Sequence, residues 1–446
     1  MIRAPVAAEK NIRIATAWNK LMNDNEAIDF LLSGQGEIKP GLEQISKLMQ
    51  ALSNPHAGMK IVHIAGTNGK GSVSAYIATV LEEAGYQTGT FNSPWIHSIH
   101  ECIRVNGERI TNQEIVEIVA EMKPHAEDAT QFEKLTALAF CHFRNRNCAY
   151  VVLEAGMGGA FDATNFISTS VVSVITKVSM DHQSFLGETL KEIASHKAGI
   201  IKHGNVVVSA PQEPIVMAEI VKEAKIKSAE LIVLNPNEAE IEKITVDGSR
   251  FQFGPVLAPF ETSMLGLHQI ENCCLAILAL RQVFNRCEEY GDCDEIEGLI
   301  RKGIARTTWP GRFEVLCRAP WVIVDGAHNV DGVRALLDTI ACFFPTARPR
   351  FIVGILKDKE VTEMVQLIAK VAGAIVSATP QNVRAFPSGE LSKIASNYCE
   401  NVRDGGTINN AIKIAMQDCK ADDVVVICGS LYLNDQVNDE VCQYVL

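Results

Sequence analysis

The stretch Ile61–Ile77, IVHIAGTNGKGSVSAYI, decides how the chain is read. Ile61 to Ala65 is a short apolar run suited to a buried strand, and Ser74 to Glu83 has the spacing of a helix with its apolar residues on one side. Between them, Gly66, Gly69 and Gly71 free the backbone to turn tightly and aim successive N–H groups into one hollow. An anion would be held there by the helix N-terminus, with Lys70 adding a full positive charge. The strict Walker spacing is missed, because Ile64 stands at its first glycine position and Gly71 separates Lys70 from Ser72. A plain strand-turn-helix junction fits the same spacing.

The surrounding chain has 446 residues, 47% of them hydrophobic, which is enough for two or three domains with substantial cores. A net charge of -12 gives no general attraction to nucleic acid, so an anionic substrate must be met by a local cluster of cations. Small-molecule chemistry is the expectation. Residues 1–50 carry neither the uninterrupted apolar core of a signal peptide nor a membrane-spanning stretch. The 13 cysteines show no CxxC pair or regular zinc spacing, which fits free thiols in a reducing cytoplasm. Cys273-Cys274 reads as part of a buried helical stripe.

Further buried strands recur at YVVLEAG, TSVVSVIT, GNVVVSA and AELIVL, with helical patterns between several of them. The layout is α/β with a mainly parallel sheet. IEKITVDGSRFQFG alternates around Asp247-Gly248 and predicts a hairpin at the sheet's edge, followed by a long helix over about Gln269 to Phe284. The charged segment CEEYGDCDEIEGLIRKGIARTTWPGR interrupts the pattern, and PWVIVDGAHN, RFIVGIL, GAIVSAT and ADDVVVICGS then form a second run of strands. A boundary is expected near residues 296–303, dividing the chain into 1–298 and 299–446.

In open parallel sheets the loops at the carboxyl ends of the strands gather around a crevice. VVLEAGMGGAFDATN puts Glu154 at such an end, before Asp162, either as an oxygen ligand for magnesium or as an acid buried by an ion pair. Asp181-His182 follows another strand, with Lys197 on the next helix. His182 is a candidate metal ligand or an ordinary hydrogen-bonding histidine. Asp325, His328 and Asn329 end a strand of the second run, Lys357 and Asp358 end another, and Arg312 stands beside a proline-glycine turn. Their repeated emergence from buried strands points to a site between two domains, with Arg312 suited to a polyphosphate.

GTNGKGS, LGETLKEIASHKAGI, GLHQIEN, WPGRFE and DGAHN, in this order, resemble the folylpolyglutamate synthase and dihydrofolate synthase family, which is related to the Mur ligases. The resemblance covers about nine-tenths of the chain, from EAIDFLLSGQGEIKPGLEQI to GSLYL. It implies a P-loop-containing, ATP-binding central domain and a smaller Rossmann-like C-terminal α/β domain. It also implies ATP- and magnesium-dependent joining of L-glutamate to a reduced folate or dihydropteroate through an acyl phosphate. A cytoplasmic monomer is expected.

The same resemblance gives a phosphate-binding role to Gly66, Thr67, Asn68, Gly69, Lys70, Gly71 and Ser72, and nucleotide contacts to Asn272, Arg312 and Asp325. Ser93, Glu154 and His182 match magnesium positions, Lys197 matches a lysine that is carbamylated in many relatives, and His328 matches a histidine near the interdomain nucleotide site. Departures cluster on the acyl-acceptor side. Trp95, Glu101 and Cys102 lie in SPWIHSIHECIRVNG, and GGAFDATN has Ala160 and Phe161 where relatives often carry arginine and leucine. A related ligase acting on another carboxylate or amino acid therefore remains the alternative.

Overall fold

Strand β1 (Lys60–Ala65) lies inside the larger of two parallel sheets of the computed structural model, which describes residues 22–34, 41–254, 258–286, 293–437 and 441. Five of its six residues are buried, as expected of a strand covered on both faces. It pairs in parallel with β5 (Tyr150–Glu154) and β6 (Val172–Ile175), in a register that sets Ile64 beside Glu154 and Ala65 beside Ile175. The loops leaving all three strands therefore emerge at one edge.

The sheet continues through β7 (Val206–Ser209) and β8 (Glu230–Val233) on one side and β2 (Thr88–Phe91), β3 (Ile103–Val105) and β4 (Glu108–Arg109) on the other. Only the β2–β3 and β3–β4 pairings are antiparallel, so β3 alone runs against the other strands. β3 and β4 turn at Asn106 and Gly107, both with positive φ, as a two-residue hairpin of the mirror-image type requires. The asparagine-glycine pair is a hairpin signal that the pattern of strands alone did not bring out.

The helix after the glycine loop begins at Lys70, with Gly69 in left-handed conformation as its cap, and runs to Glu83. It is buried around most of its circumference rather than on one side. The reason is tertiary: it is sandwiched between the sheet and two later helices, Leu267–Phe284 and Cys293–Arg306. A methyl group on Gly303 would sit 2.6 Å from Val80 Cα, so the backbones nearly touch. The boundary expected at 298/299 thus falls inside a helix that packs on the first unit. The opposite face of the sheet is covered by Asp24–Leu32, Glu43–Ala51, Asn112–Met122 and Gln131–Asn145.

The expected hairpin forms as β9 (Ala239–Thr245) and β10 (Gly248–Phe253), but it does not extend the main sheet. With β11 (Phe260–Thr262) it makes a separate three-stranded antiparallel sheet. Phe251, Phe253 and Phe260 are buried in the core shared with Leu267–Phe284, a gain of roughly 1.5–3 kcal/mol per side chain. Tyr76 hydroxyl shares a 2.7 Å hydrogen bond with Thr262 Oγ1, tying this small sheet to the helix behind the glycine loop.

The second unit is a six-stranded sheet in the order β12 (Glu314–Arg318), β13 (Trp321–Val324), β17 (Val424–Cys428), β14 (Arg350–Val353), β15 (Ala374–Ser377) and β16 (Val402–Asp404). All but β12 are parallel. Val324 pairs with Ile427 and Val353 with Cys428, so the turns after β13 and β14 leave from the same edge. Among the described residues no helix is long and apolar enough to cross a membrane, and the cysteines are free. Residues 1–21 and 35–40 of the segment read for targeting signals, and 287–292 of the charged segment, lie outside the described residues.

Candidate active site between the two sheets

The glycine loop owes its shape to close packing. Gly66 has φ +154°, and a methyl group there would lie 1.8 Å from Thr176 Oγ1. Gly69 has φ +92°, and its missing side chain makes room for Asn272, whose Oδ1 would otherwise be met at 2.4 Å. Trp309 closes over the next turn, with Nε1 2.9 Å from the position of a Gly71 methyl. Not all of the N–H groups point into one hollow. Those of Thr67 and Asn68 donate to the Lys177 carbonyl at 2.8 and 3.2 Å, and the first bond of the helix runs from Val73 N to Gly69 O. The donors of Gly69 to Ser72 precede that bond and form the positive end of the helix.

Lys70 Nζ donates to Thr67 O at 3.2 Å and lies 3.9 Å from Glu154 Oε1. The second oxygen of Glu154 accepts from Asn92 Nδ2 at 2.9 Å, and the same amide reaches Ser74 Oγ at 2.8 Å. Burial raises the Glu154 pKa above its ordinary value, while Lys70, Asn92, Arg312 and the Ser93 N–H act against that rise. Ser93 therefore meets Glu154 through its backbone, and Arg312 of the second unit contributes its field to an acid of the first. A carboxylate this dry and incompletely compensated suits a bound cation.

Lys197, on the helix Leu190–Ala198, is buried behind the loop and donates to Gly66 O at 2.7 Å. Burial and then the charge of Lys70 draw its pKa down to about 7. A substantial fraction of its amine is thus neutral near physiological pH. His182 adopts φ +52°, a left-handed conformation uncommon outside glycine, and burial lowers its pKa to about 4. Its imidazole is neutral and able to offer a lone pair. Among the described residues no group of three His, Cys, Asp or Glu side chains forms a ready-made metal cage.

Across the crevice, both oxygens of Asp325 are held by backbone donors, Phe313 N and Ala327 N, each at 2.8 Å. Arg312 passes against Gly326, where a methyl group would meet its Nη1 at 2.7 Å. His328 Nδ1 is 2.8 Å from Gly326 O, and burial lowers the ring's pKa to about 4. Asn272 donates to Gln269 Oε1 at 3.1 Å. Asp358 turns to Arg384, pairing with its Nη1 at 3.2 Å, and the backbone N–H of Lys357 donates to Arg384 O.

The two edges meet through residues that motif reading underweighted. Asp181 of the first unit pairs with Lys359 of the second, with the two side chains 6% and 4% exposed. Its Oδ2 also lies 3.8 Å from His328 Nε2 and 3.9 Å from His182 Nε2. Burial works against charge on Asp181, but His182, Lys359 and His328 more than offset it and hold the carboxyl well below its usual range. Asn68 turns its side chain to Asn329, with which it exchanges two amide hydrogen bonds. Lys70, Glu154, Lys197 and His182 are therefore gathered at one edge, facing Arg312, Asp325 and His328 from the other.

A strand-glycine loop-helix unit faces a smaller α/β unit across this crevice, and the family models and relatives that match the two units make the chain a Mur-type, ATP-dependent amide ligase. A family model for the Mur ligase middle domain matches residues 64–280, and one for the Mur ligase glutamate ligase domain matches residues 311–431. The chain is 36% identical over 410 residues to the dihydrofolate synthase/folylpolyglutamate synthase of Bacillus subtilis, spanning 89% of this chain and 93% of that one. It is 32% identical over 433 residues to the folylpolyglutamate synthase of Lacticaseibacillus casei, spanning 93% and 98%. The structure of Mycobacterium tuberculosis folylpolyglutamate synthase complexed with ADP superposes with a TM-score of 0.84 at 29% identity, covering 95% of this chain and 99% of that one. The chain belongs to the folylpolyglutamate synthase/dihydrofolate synthase family.

Proposed function

We propose that the protein joins L-glutamate to the carboxylate of a reduced folate, or of dihydropteroate, at the expense of ATP. The observation that carries this reading is the gathering of Lys70, Glu154 and Lys197 opposite Arg312, Asp325 and His328. A carboxylate is a poor electrophile, so it takes the terminal phosphoryl group of ATP to give an acyl phosphate. The glutamate amine then forms the amide bond and phosphate leaves. Lys70 and the N–H groups of Gly69 to Ser72 stabilise the phosphoryl charge. Arg312, Asn272 and Asp325 hold the nucleotide; the Asp325 oxygens keep lone pairs free after accepting one N–H each.

Glu154, Ser93 and His182 would hold magnesium, with nucleotide oxygens and water filling the remaining positions. The support is a buried carboxylate short of compensating charge and a neutral imidazole. When bound, the ion would neutralise the transferring phosphate. Lys197 suits carbamylation, in which its neutral amine adds to carbon dioxide and releases a proton, turning a cation into an anion. The support is its burial and a pKa near 7. The free described cysteines support a reducing, cytoplasmic setting.

The test is to incubate the purified protein with ATP, magnesium, L-glutamate and either tetrahydrofolate or dihydropteroate, and to resolve the products by mass. One glutamate added to a folate supports the reading. A second reading, ligation to another carboxylate, is favoured by the 58% exposed Phe161 and by Ala160, which packs against Gly199 where relatives often carry arginine. No folate product, with ADP release driven by a different acid, would shift the assignment there.

A further inference from the structure

Asn329 ends the turn after β13 with its amide fully engaged. Its Oδ1 accepts from Gly332 N at 2.8 Å, capping the helix Val330–Phe343, and from Asn68 Nδ2 at 3.1 Å. Its Nδ2 donates to Asn68 Oδ1 at 3.0 Å and to Asp181 Oδ2 at 3.4 Å. One buried side chain thus joins a helix N-terminus of the second unit to the glycine loop and to an acid of the first. Beside it stands the Lys359–Asp181 ion pair, and Gln183 Nε2 donates to Glu360 Oε1 at 2.8 Å on the outer side.

A buried ion pair of this kind adds little net adhesion, because separating the units returns both charges to water. What it supplies is register. If one unit slides against the other, a charge is left buried without its partner, and the mutual amide bonds of Asn68 and Asn329 break as well. Both contacts lie within a few residues of Lys70, His182 and His328, so the register they select is the one that aligns the two halves of the site.

We propose that Lys359 and Asn329 are positioning residues, which clasp the glycine loop and Asp181 so that Arg312, Asp325 and His328 face Lys70 in a fixed register. The kinetic part of this inference rests on the ligase reading; the structural part does not.

Asn329→Asp separates the clasp from the helix cap. Aspartate still accepts from Gly332 N, as an N-cap residue does, but it gives no donor to Asn68 or Asp181 and sets a second carboxylate against Asp181. Lys359→Met removes the cation, and Lys359→Arg restores it. In the full chain, small-angle scattering with and without ADP reads the separation of the two units, and steady-state kinetics reads the reaction. Asn329→Asp and Lys359→Met are each expected to increase the separation and to lower kcat about tenfold or more, with Lys359→Arg recovering most of it. The scattering needs no acyl acceptor, so it holds whether the acid ligated is a folate or not. Compact scattering with unchanged kcat in both variants overturns the proposal. So does loss of kcat with compact scattering and no recovery by arginine, which would make Lys359 a group acting on the reactants. Should Lys359→Met fail to fold, Asn329→Asp decides alone, because its helix cap is kept.

Discussion

Lys197 Nζ stands 2.7 Å from the carbonyl oxygen of Gly66, so a buried amine is bonded to the first residue of the glycine loop. A backbone carbonyl accepts a hydrogen bond from an ammonium or from a neutral amine, and the low pKa of Lys197 comes from burial and from Lys70 rather than from this contact.

The unfolded chain holds the Lys197 proton up to its ordinary value near 10.5, whereas the folded protein releases it at about 7. Between those limits the unfolded state binds more protons, so stability rises with pH, by up to about 1.4 kcal/mol per pH unit from one group. Lys197→Met should remove that contribution. Denaturant melts of both proteins from about pH 6 to pH 10, in buffers free of carbon dioxide, measure it. Lys202 also titrates at lowered pKa, but it is common to both proteins and cancels in the comparison. Equal slopes would rule out a depressed Lys197.

Glu154→Gln is expected to abolish ligation and yet to stabilise the nucleotide-free protein. The folded pKa of Glu154 is raised, chiefly by burial, so the charged acid costs stability above that pKa and the cost disappears as the pH falls. Glutamine keeps an acceptor for Asn92 without the charge. Thermal melts should show the variant more stable at neutral pH, with the two proteins converging in acid. A less stable variant at every pH would mean that the Lys70 contact outweighs desolvation.

Lys70→Ala should lower kcat by about a hundredfold or more, because the proposed role sets its ammonium against charge that develops during transfer. Its side chain is 17% exposed and its nearest anion, Glu154, stands 3.9 Å away, so its removal leaves that acid less compensated without opening the apolar core. Melting within a few degrees of the parent, together with the kinetic loss, is the expected pair of results. Parent-like turnover at saturating ATP would exclude the role.

Gly66→Ala is expected to destabilise the fold by about 2 kcal/mol or more, because the added methyl would overlap Thr176 Oγ1 in a backbone conformation already awkward for a side chain. Gly107→Ala, with positive φ but open space around it, is the control for strain alone. Adding Thr176→Ala should recover part of the loss by removing the nearest atom. Equal effects at Gly66 and Gly107 would show that packing does not set the loop.

Much of the candidate site's layout was legible in motifs because its polar residues follow buried strands locally. The loop from Gly66 to Ser72, Glu154 at the end of β5 and Asp325 at the end of β13 each follow a buried strand within a few residues, and parallel pairing then forces such ends together. Lys359 was not legible. Lys357, Asp358 and Lys359 are equally polar neighbours, and only the turn after β14 decides which of them is buried against Asp181. Asn68 likewise belongs to the phosphate-loop motif, but its side chain is spent on a residue 261 positions away.

The sequence by itself determined the α/β class, the order of the strands' chemistry and the family, since apolar runs, glycine spacing and strand-end polar residues are properties of short segments. Tertiary structure alone decided that the Ala239–Phe253 hairpin leaves the main sheet to cover a helix, that Cys293–Arg306 packs on the first unit, and that Asp181, Asn329 and Lys359 meet. The physical reason is the same in each case. Which apolar face is covered, and which charge finds a partner out of water, depends on surfaces contributed by distant parts of the chain, and no local pattern encodes the far side of a contact.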